Sequence, residues 1–209
     1  MKKITVLAIL LIFIAACAST STNVKKQSSH QDIDQLAEYR DTLVGKFDGI
    51  KIDTLIAEPF GTPGWPEDPN DTESELYYNW RVYSKGGTVN ELKLEKQTIG
   101  IKFVNEGDVD LDGKDEWGYV SEWPTSNWMV YRLYHNDNGN WNFLIEPISI
   151  WLPHLDPEDQ IYGGHTAEDL IQKSDKPGFL NVKFSDLRND GEDFLLIDTL
   201  IQIPNRLNQ

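Results

Sequence analysis

The feature that most constrains this chain is a period of two running through its middle. Tyr78, Trp80 and Val82 alternate against Asn79, Arg81 and Tyr83, and Leu92 and Leu94 alternate after a turn at Gly86-Gly87. Ile99, Ile101 and Phe103 repeat the pattern, and Trp128 to Tyr134 and Trp141 to Ile145 flank the segment Asn136-Asp137-Asn138-Gly139-Asn140. Alternation sends successive side chains to opposite faces of an extended strand, and Asn and Gly accept the positive φ of tight turns. The expectation is a mainly β chain: a compact antiparallel β-sheet assembly, propeller-blade-like or a sandwich, with one or two short helices.

Helical spacing is confined to two stretches. Ile33, Leu36, Ala37 and Leu43 have it, ending near Gly45, and Thr166 can cap a short helix running to Ile171 with Glu168 and Asp169 in its first turn. Between Pro59 and Thr72 the residues Pro59, Gly61, Pro63, Gly64, Pro66 and Pro69 predict an irregular surface excursion, and a similar break runs from Pro153 to Gly164. Ile52-Asp53-Thr54-Leu55-Ile56 recurs as Ile197-Asp198-Thr199-Leu200-Ile201. Either these are the first and last strands of a duplicated unit, closing one sheet, or common residue types coincide.

Charge narrows the partners. Lys plus Arg number 19 against 34 Asp plus Glu, and the net charge of −15 repels phosphate backbones, so no nucleic-acid partner is expected. The single cysteine, Cys17, excludes an intramolecular disulfide and a Cys-based zinc site.

That cysteine closes an export signal. Lys2 and Lys3 precede the apolar run Ile4 to Ala16, 13 residues long, against the roughly 20 residues that span a bilayer. Ile14-Ala15-Ala16-Cys17 resembles the bacterial lipobox, which implies removal of residues 1–16 and lipidation of Cys17. Ala18, where inner-membrane lipoproteins resemble one another in carrying Asp, points to an outer-membrane lipoprotein, facing either the periplasm or the surface. Residues 17–31, rich in Ser, Thr, Asn, Gln and Lys, read as a lipidated cysteine with a flexible tether, and 32–209 as a single β-rich domain. The mature length is too short for a propeller of six or seven blades of about 40 to 45 residues each.

The most specific motif is Asp108-Val109-Asp110-Leu111-Asp112-Gly113-Lys114-Asp115-Glu116. Calcium takes hard oxygen ligands, and carboxylates at alternate positions beside a glycine wrap a loop around one ion. Asp108, Asp110 and Asp112 have that spacing; Lys114 would add its backbone carbonyl and Glu116 or Asp115 a further carboxylate. The rival reading is a solvated acidic turn, but so many carboxylates in nine residues repel one another without a cation. Tyr119 stands where an EF-hand needs its bidentate Glu. The segment instead resembles the calcium loop of FG-GAP and VCBS-type repeats over Ile99 to Leu144, without their Phe-Gly and Gly-Ala-Pro signatures. Lipobox, tether and loop together are similar to uncharacterised small lipoproteins of Bacteroidetes. A second copy, Asp186-Leu187-Arg188-Asn189-Asp190-Gly191-Glu192-Asp193, has Arg188 and Phe194 at two ligand positions, and no metal is expected there.

Catalytic signals are weak. None of the four histidines has i, i+4 metal spacing, and no Gly-x-Ser-x-Gly elbow or phosphate loop occurs. Glu122 beside Trp123 is the first carboxylate to test for a raised pKa, with an exposed loop glutamate as the plainer reading. Seven tryptophans offer stacking faces, of which Trp65 and Trp123, flanked by prolines, are expected to be exposed to a glycan or protein partner. Two functions follow as expectations: a calcium-stabilised, membrane-tethered binding or structural module that is not an enzyme, or a glycan-binding or carbohydrate-active lipoprotein.

Overall fold

The computed structural model describes residues 39–64, 77–95, 97–122, 126–159, 161–186 and 194–204, all within the unit Asp32–Gln209. It is mainly β. Among the described residues twelve strands form three antiparallel sheets, and the helical residues belong to short 3-10 turns. The first sheet orders β1 (Asp41–Gly45), β2 (Asp53–Gly64), β3 (Tyr77–Ser84) and β4 (Leu92–Lys93). The second orders β5 (Gly100–Gly107), β6 (Glu116–Glu122) and β7 (Trp128–Asp137). Along the far edge of β7, β8 (Asn140–Phe143) pairs with its C-terminal part and β9 (Ile148–Trp151) with its start. The third comprises β10 (Ile171–Lys173), β11 (Phe179–Ser185) and β12 (Leu196–Gln202).

The period of two explains how the sheets stack. On β6, Trp117 and Tyr119 join a core with Phe47 of the β1–β2 loop and Leu55, Ala57, Trp80 and Val82 of the first sheet. Val120, on the other face, joins Val104, Tyr131 and Leu133 in a core with Leu170, Ile171, Leu180 and Val182 beside the third sheet. The middle sheet is therefore covered on both faces, a three-layer sandwich-like stack. β6 is buried from Glu116 to Ser121. The middle layer also has one close approach: a Cβ built on Gly118 would lie 2.0 Å from the Tyr131 hydroxyl oxygen, so only glycine fits there.

The hairpins read from alternation are present. β3 pairs with β4 across the Gly86-Gly87 turn, and β7 with β8 across Asn138-Gly139, both at positive φ (52° and 87°). Four expectations are corrected. From Asp41 the expected first helix is instead strand β1, whose Thr42, Leu43 and Val44 suit a strand and pair with Ile56, Leu55 and Thr54 respectively; residues 33–38 lie outside those described. The expected helix at Thr166 is a single 3-10 turn, Ala167–Asp169, held by Thr166 N donating to Asp169 Oδ2 at 2.8 Å.

The excursion expected from Pro59 is strand as far as Gly64. β1 ends opposite Ala57, and Trp80, the partner of Pro59, accepts a bond from Leu94 N on its far side at 2.9 Å. Pro59 is thus in a non-hydrogen-bonded pair, with its nitrogen turned away from β3 and beyond the last pair of β1, so the β2–β3 ladder loses no bond to its missing N–H. The pairing then shifts register between Phe60 and Gly64, and residues 65–76 lie outside those described. Finally, the two Ile-Asp-Thr-Leu-Ile segments do not close one sheet: the first falls on β2 in the interior of the first sheet, the second on β12 at the edge of the third.

Candidate functional site

The acidic loop joins β5 to β6, so its last residue is the first residue of the most buried strand. Leu111 and Gly113 turn it with φ of 68° and 87°. Leucine rarely adopts that backbone conformation, which here is held by carboxylates turned back on the loop. Asp108 Oδ2 accepts from Gly113 N at 3.1 Å, Asp110 Oδ1 from Asp112 N at 3.1 Å, and Asp112 Oδ1 from Lys114 N at 2.9 Å. Glu116 Oε2 accepts from Val109 N at 3.1 Å.

These bonds fix one oxygen of each of the four carboxylates. Carboxylate oxygens of Asp108, Asp110 and Glu116 lie within 4.8 Å of one another. Asp108 Oδ1 and Glu116 Oε1 are sealed from solvent without a hydrogen-bond donor, and Glu116 is 0% exposed. A sealed carboxylate oxygen with no donor costs several kcal/mol unless it is protonated or meets a cation. Burial, with Asp110 and Asp112 adding repulsion, accordingly pushes the Glu116 carboxyl up to about 9. Convergent, hard, donor-poor oxygens are the ligand chemistry of a calcium ion.

The remaining motif residues do other things. Asp112 lies outside this convergent group, and its Oδ2 pairs with Lys114 Nζ at 3.1 Å. Lys114 Nζ also donates to the Asn136 carbonyl at 2.9 Å. Asp115 turns away, its Oδ2 accepting from Lys46 N at 2.7 Å while its own N–H donates to Lys46 O at 3.1 Å.

Sequence reasoning missed Asn136, which was legible only as part of a turn. Buried, it donates from Nδ2 to Phe47 O at 2.8 Å and accepts at Oδ1 from Gly139 N at 2.7 Å. The acidic loop, the β1–β2 loop and the β7–β8 turn are thereby tied together, joining the first two sheets at one end. Glu106 was also missed. It stands on β5 with the Tyr131 hydroxyl donating to it, and burial pushes its carboxyl up to about 8.

Other sequence expectations fall elsewhere. Glu122 is exposed, its carboxyl lying over Gly100. Trp65, Trp123 and residues 187–193 of the second acidic segment lie outside the described residues, as do Cys17 and the tether. Trp117 is fully buried, stacked 4.7 Å from Tyr134 and edge-on to Phe103 and Trp141, so it serves packing. His154 is a satisfied buried cross-link, with Nδ1 2.8 Å from Ser185 Oγ and Nε2 3.0 Å from Phe194 O. A separate cleft of about 410 Å³ is walled mainly by apolar residues, Ile145, Ile148, Phe184, Ile201 and Pro204, with Glu146 and Asp186 also in its lining. No family model, curated protein or solved structure matches the chain.

Proposed function

We propose that this chain is a lipid-anchored outer-membrane protein whose β-rich unit is a binding or structural module stabilised by one calcium ion. The anchor rests on Ile14-Ala15-Ala16-Cys17 after the apolar run. Among the described residues no helix is long and apolar enough to cross a membrane. The calcium reading is carried by one observation: Glu116, whose Oε1 is sealed without a donor, offers a carboxylate oxygen that lies within 4.8 Å of oxygens from Asp108 and Asp110. Asp108, Asp110 and Glu116 would supply side-chain ligands, with Asp112 and the Lys114 carbonyl completing the shell. The ion's task is cohesion. It would neutralise carboxylates at the loop that ties the first two sheets together, keeping that end rigid for whatever the module binds.

Extracellular modules hold calcium at about 10⁻⁴ to 10⁻³ M. At ten times the dissociation constant the ion adds about 1.4 kcal/mol, a melting shift of about 3–5 °C for a unit of this size. The test is the melting temperature of the full-length protein in detergent, in chelator, millimolar calcium or millimolar magnesium. Calcium is expected to raise it and magnesium to do so poorly, since magnesium demands a smaller octahedral shell. Asp108→Asn should remove the shift. An unchanged melting temperature in all three conditions contradicts the calcium reading. Cys17→Ser tests the anchor separately: soluble or unprocessed protein is expected, and unchanged detergent partitioning together with unchanged signal processing contradicts it.

A further inference from the structure

We propose that Lys114 sets the cation affinity of the acidic loop by holding Asp112 back as a reserve ligand and by supplying a positive charge of the loop's own. The inference rests on the calcium reading above and concerns how that site is tuned. Alternation places Asp112 as the third aspartate of the ligand set, yet the convergent oxygens belong to Asp108, Asp110 and Glu116. Asp112 Oδ2 is turned instead to the Lys114 ammonium at 3.1 Å, while its Oδ1 accepts from Lys114 N at 2.9 Å. Side chain and backbone of one residue thus clamp both oxygens of the other.

The ammonium is not a solvated lysine head. Its second bond, to the Asn136 carbonyl at 2.9 Å, fixes it between the acidic loop and the β7–β8 turn. The Asp112 side chain is 10% exposed and that of Lys114 27%, so water screens the pair only partly. From Asp108 to Glu116 the chain carries five carboxylates and this one ammonium. A fixed positive charge bonded to a carboxylate that neighbours the ligands opposes a divalent cation by direct repulsion. It also makes recruitment of Asp112 cost the Asp112–Lys114 bond. Conversely, it relieves carboxylate repulsion whenever the cation is absent. One residue therefore trades affinity for a loop that keeps its shape when calcium leaves.

Calorimetric titration of the full-length protein in detergent with calcium chloride tests this, with circular dichroism confirming the fold of each variant. Lys114→Met removes the charge at similar length and is expected to tighten calcium binding about tenfold, while lowering the melting temperature in chelator. Lys114→Arg keeps the charge and should bind within about threefold of wild type. Built on Asp112→Asn, the Met substitution should yield a smaller gain, because the reserve ligand is gone. A lysine that merely shapes the loop gives the opposite sign: Lys114→Met would bind calcium equally or more weakly, which overturns the proposal. If the Met variant does not fold, Lys114→Gln, which keeps a donor for the Asn136 carbonyl without the charge, is read by the same criterion. Binding by wild type with no tightening in the variants refutes the role of Lys114 alone. Absence of binding heat in every form refutes the calcium reading and this inference with it.

Discussion

Glu116→Gln is expected to stabilise the calcium-free protein at neutral pH while abolishing its response to calcium. Glutamine preserves shape and leaves an acceptor for Val109 N, which Glu116 Oε2 now serves at 3.1 Å. What it removes is a titrating group with no solvent exposure, whose carboxyl is raised by burial from 4.5 to about 9. A carboxyl raised on folding contributes its stability in full below 4.5 and loses it as pH climbs toward 9. Between pH 4.5 and 7 the folded protein retains a proton that the unfolded chain has shed. At about 1.4 kcal/mol per pH unit this costs about 3 kcal/mol, an order-of-magnitude figure. Urea denaturation in chelator at pH 4.5, 5.5 and 7 measures it. The difference in unfolding free energy between variant and wild type should grow in favour of Gln by about 3 kcal/mol across that range. Some slope remains in both, because Glu106, pushed up to about 8, acts in the same direction and is untouched. Parallel profiles for the two proteins would refute the reasoning, since Glu116 would then pay no desolvation penalty in the folded state.

Two other outcomes follow from packing and charge. Gly118→Ala puts a Cβ 2.0 Å from the buried Tyr131 hydroxyl oxygen and 2.2 Å from its Cζ, and overpacking of this kind should cost about 3 kcal/mol in urea denaturation; a loss below about 1 kcal/mol would mean that Tyr131 does not cover this glycine. Asp53 is held down to about 2, its burial outweighed by hydrogen bonds from Ser84, Thr88, Thr54 N and Gly86 N. Its contribution is present above pH 3.8 and lost as pH falls through 2, so Asp53→Asn should destabilise the protein by about 1–2 kcal/mol at pH 6 and by much less at pH 2; an equal loss at both would show that the charge is not what these donors recognise.

How much was legible in the sequence depended on whether a signal was local. Alternation at Tyr78 to Val82 and Trp128 to Tyr134, with Asn138-Gly139 between partners, is a local signal, and it located the strands and hairpins. Leu43 misled because one residue fits a helical spacing as well as a strand; pairing with Leu55, twelve residues away, decides it. Pro59 misled because a proline's cost depends on whether its nitrogen faces a neighbouring strand, which only the length of β1 settles. At the acidic loop, spacing identified the carboxylates but not their division. Glu116 is sealed because it opens the middle layer of a three-layer stack, Asp115 is drawn off by Lys46, and Asp112 by Lys114. Asn136 had no signal beyond a turn-forming residue type, since its partner Phe47 lies 89 positions away.

Crystals of the full-length protein grown in millimolar calcium test the central claim most directly, through anomalous diffraction recorded at a wavelength where calcium scatters and lighter ions do not. A single anomalous peak is expected between Asp108, Asp110 and Glu116, about 2.3–2.6 Å from their oxygens, with Asp108 Oδ1 and Glu116 Oε1 among the ligands. Ordered carboxylates at that position with no anomalous peak at saturating calcium would contradict the account, leaving an acidic turn whose buried glutamate is simply kept protonated.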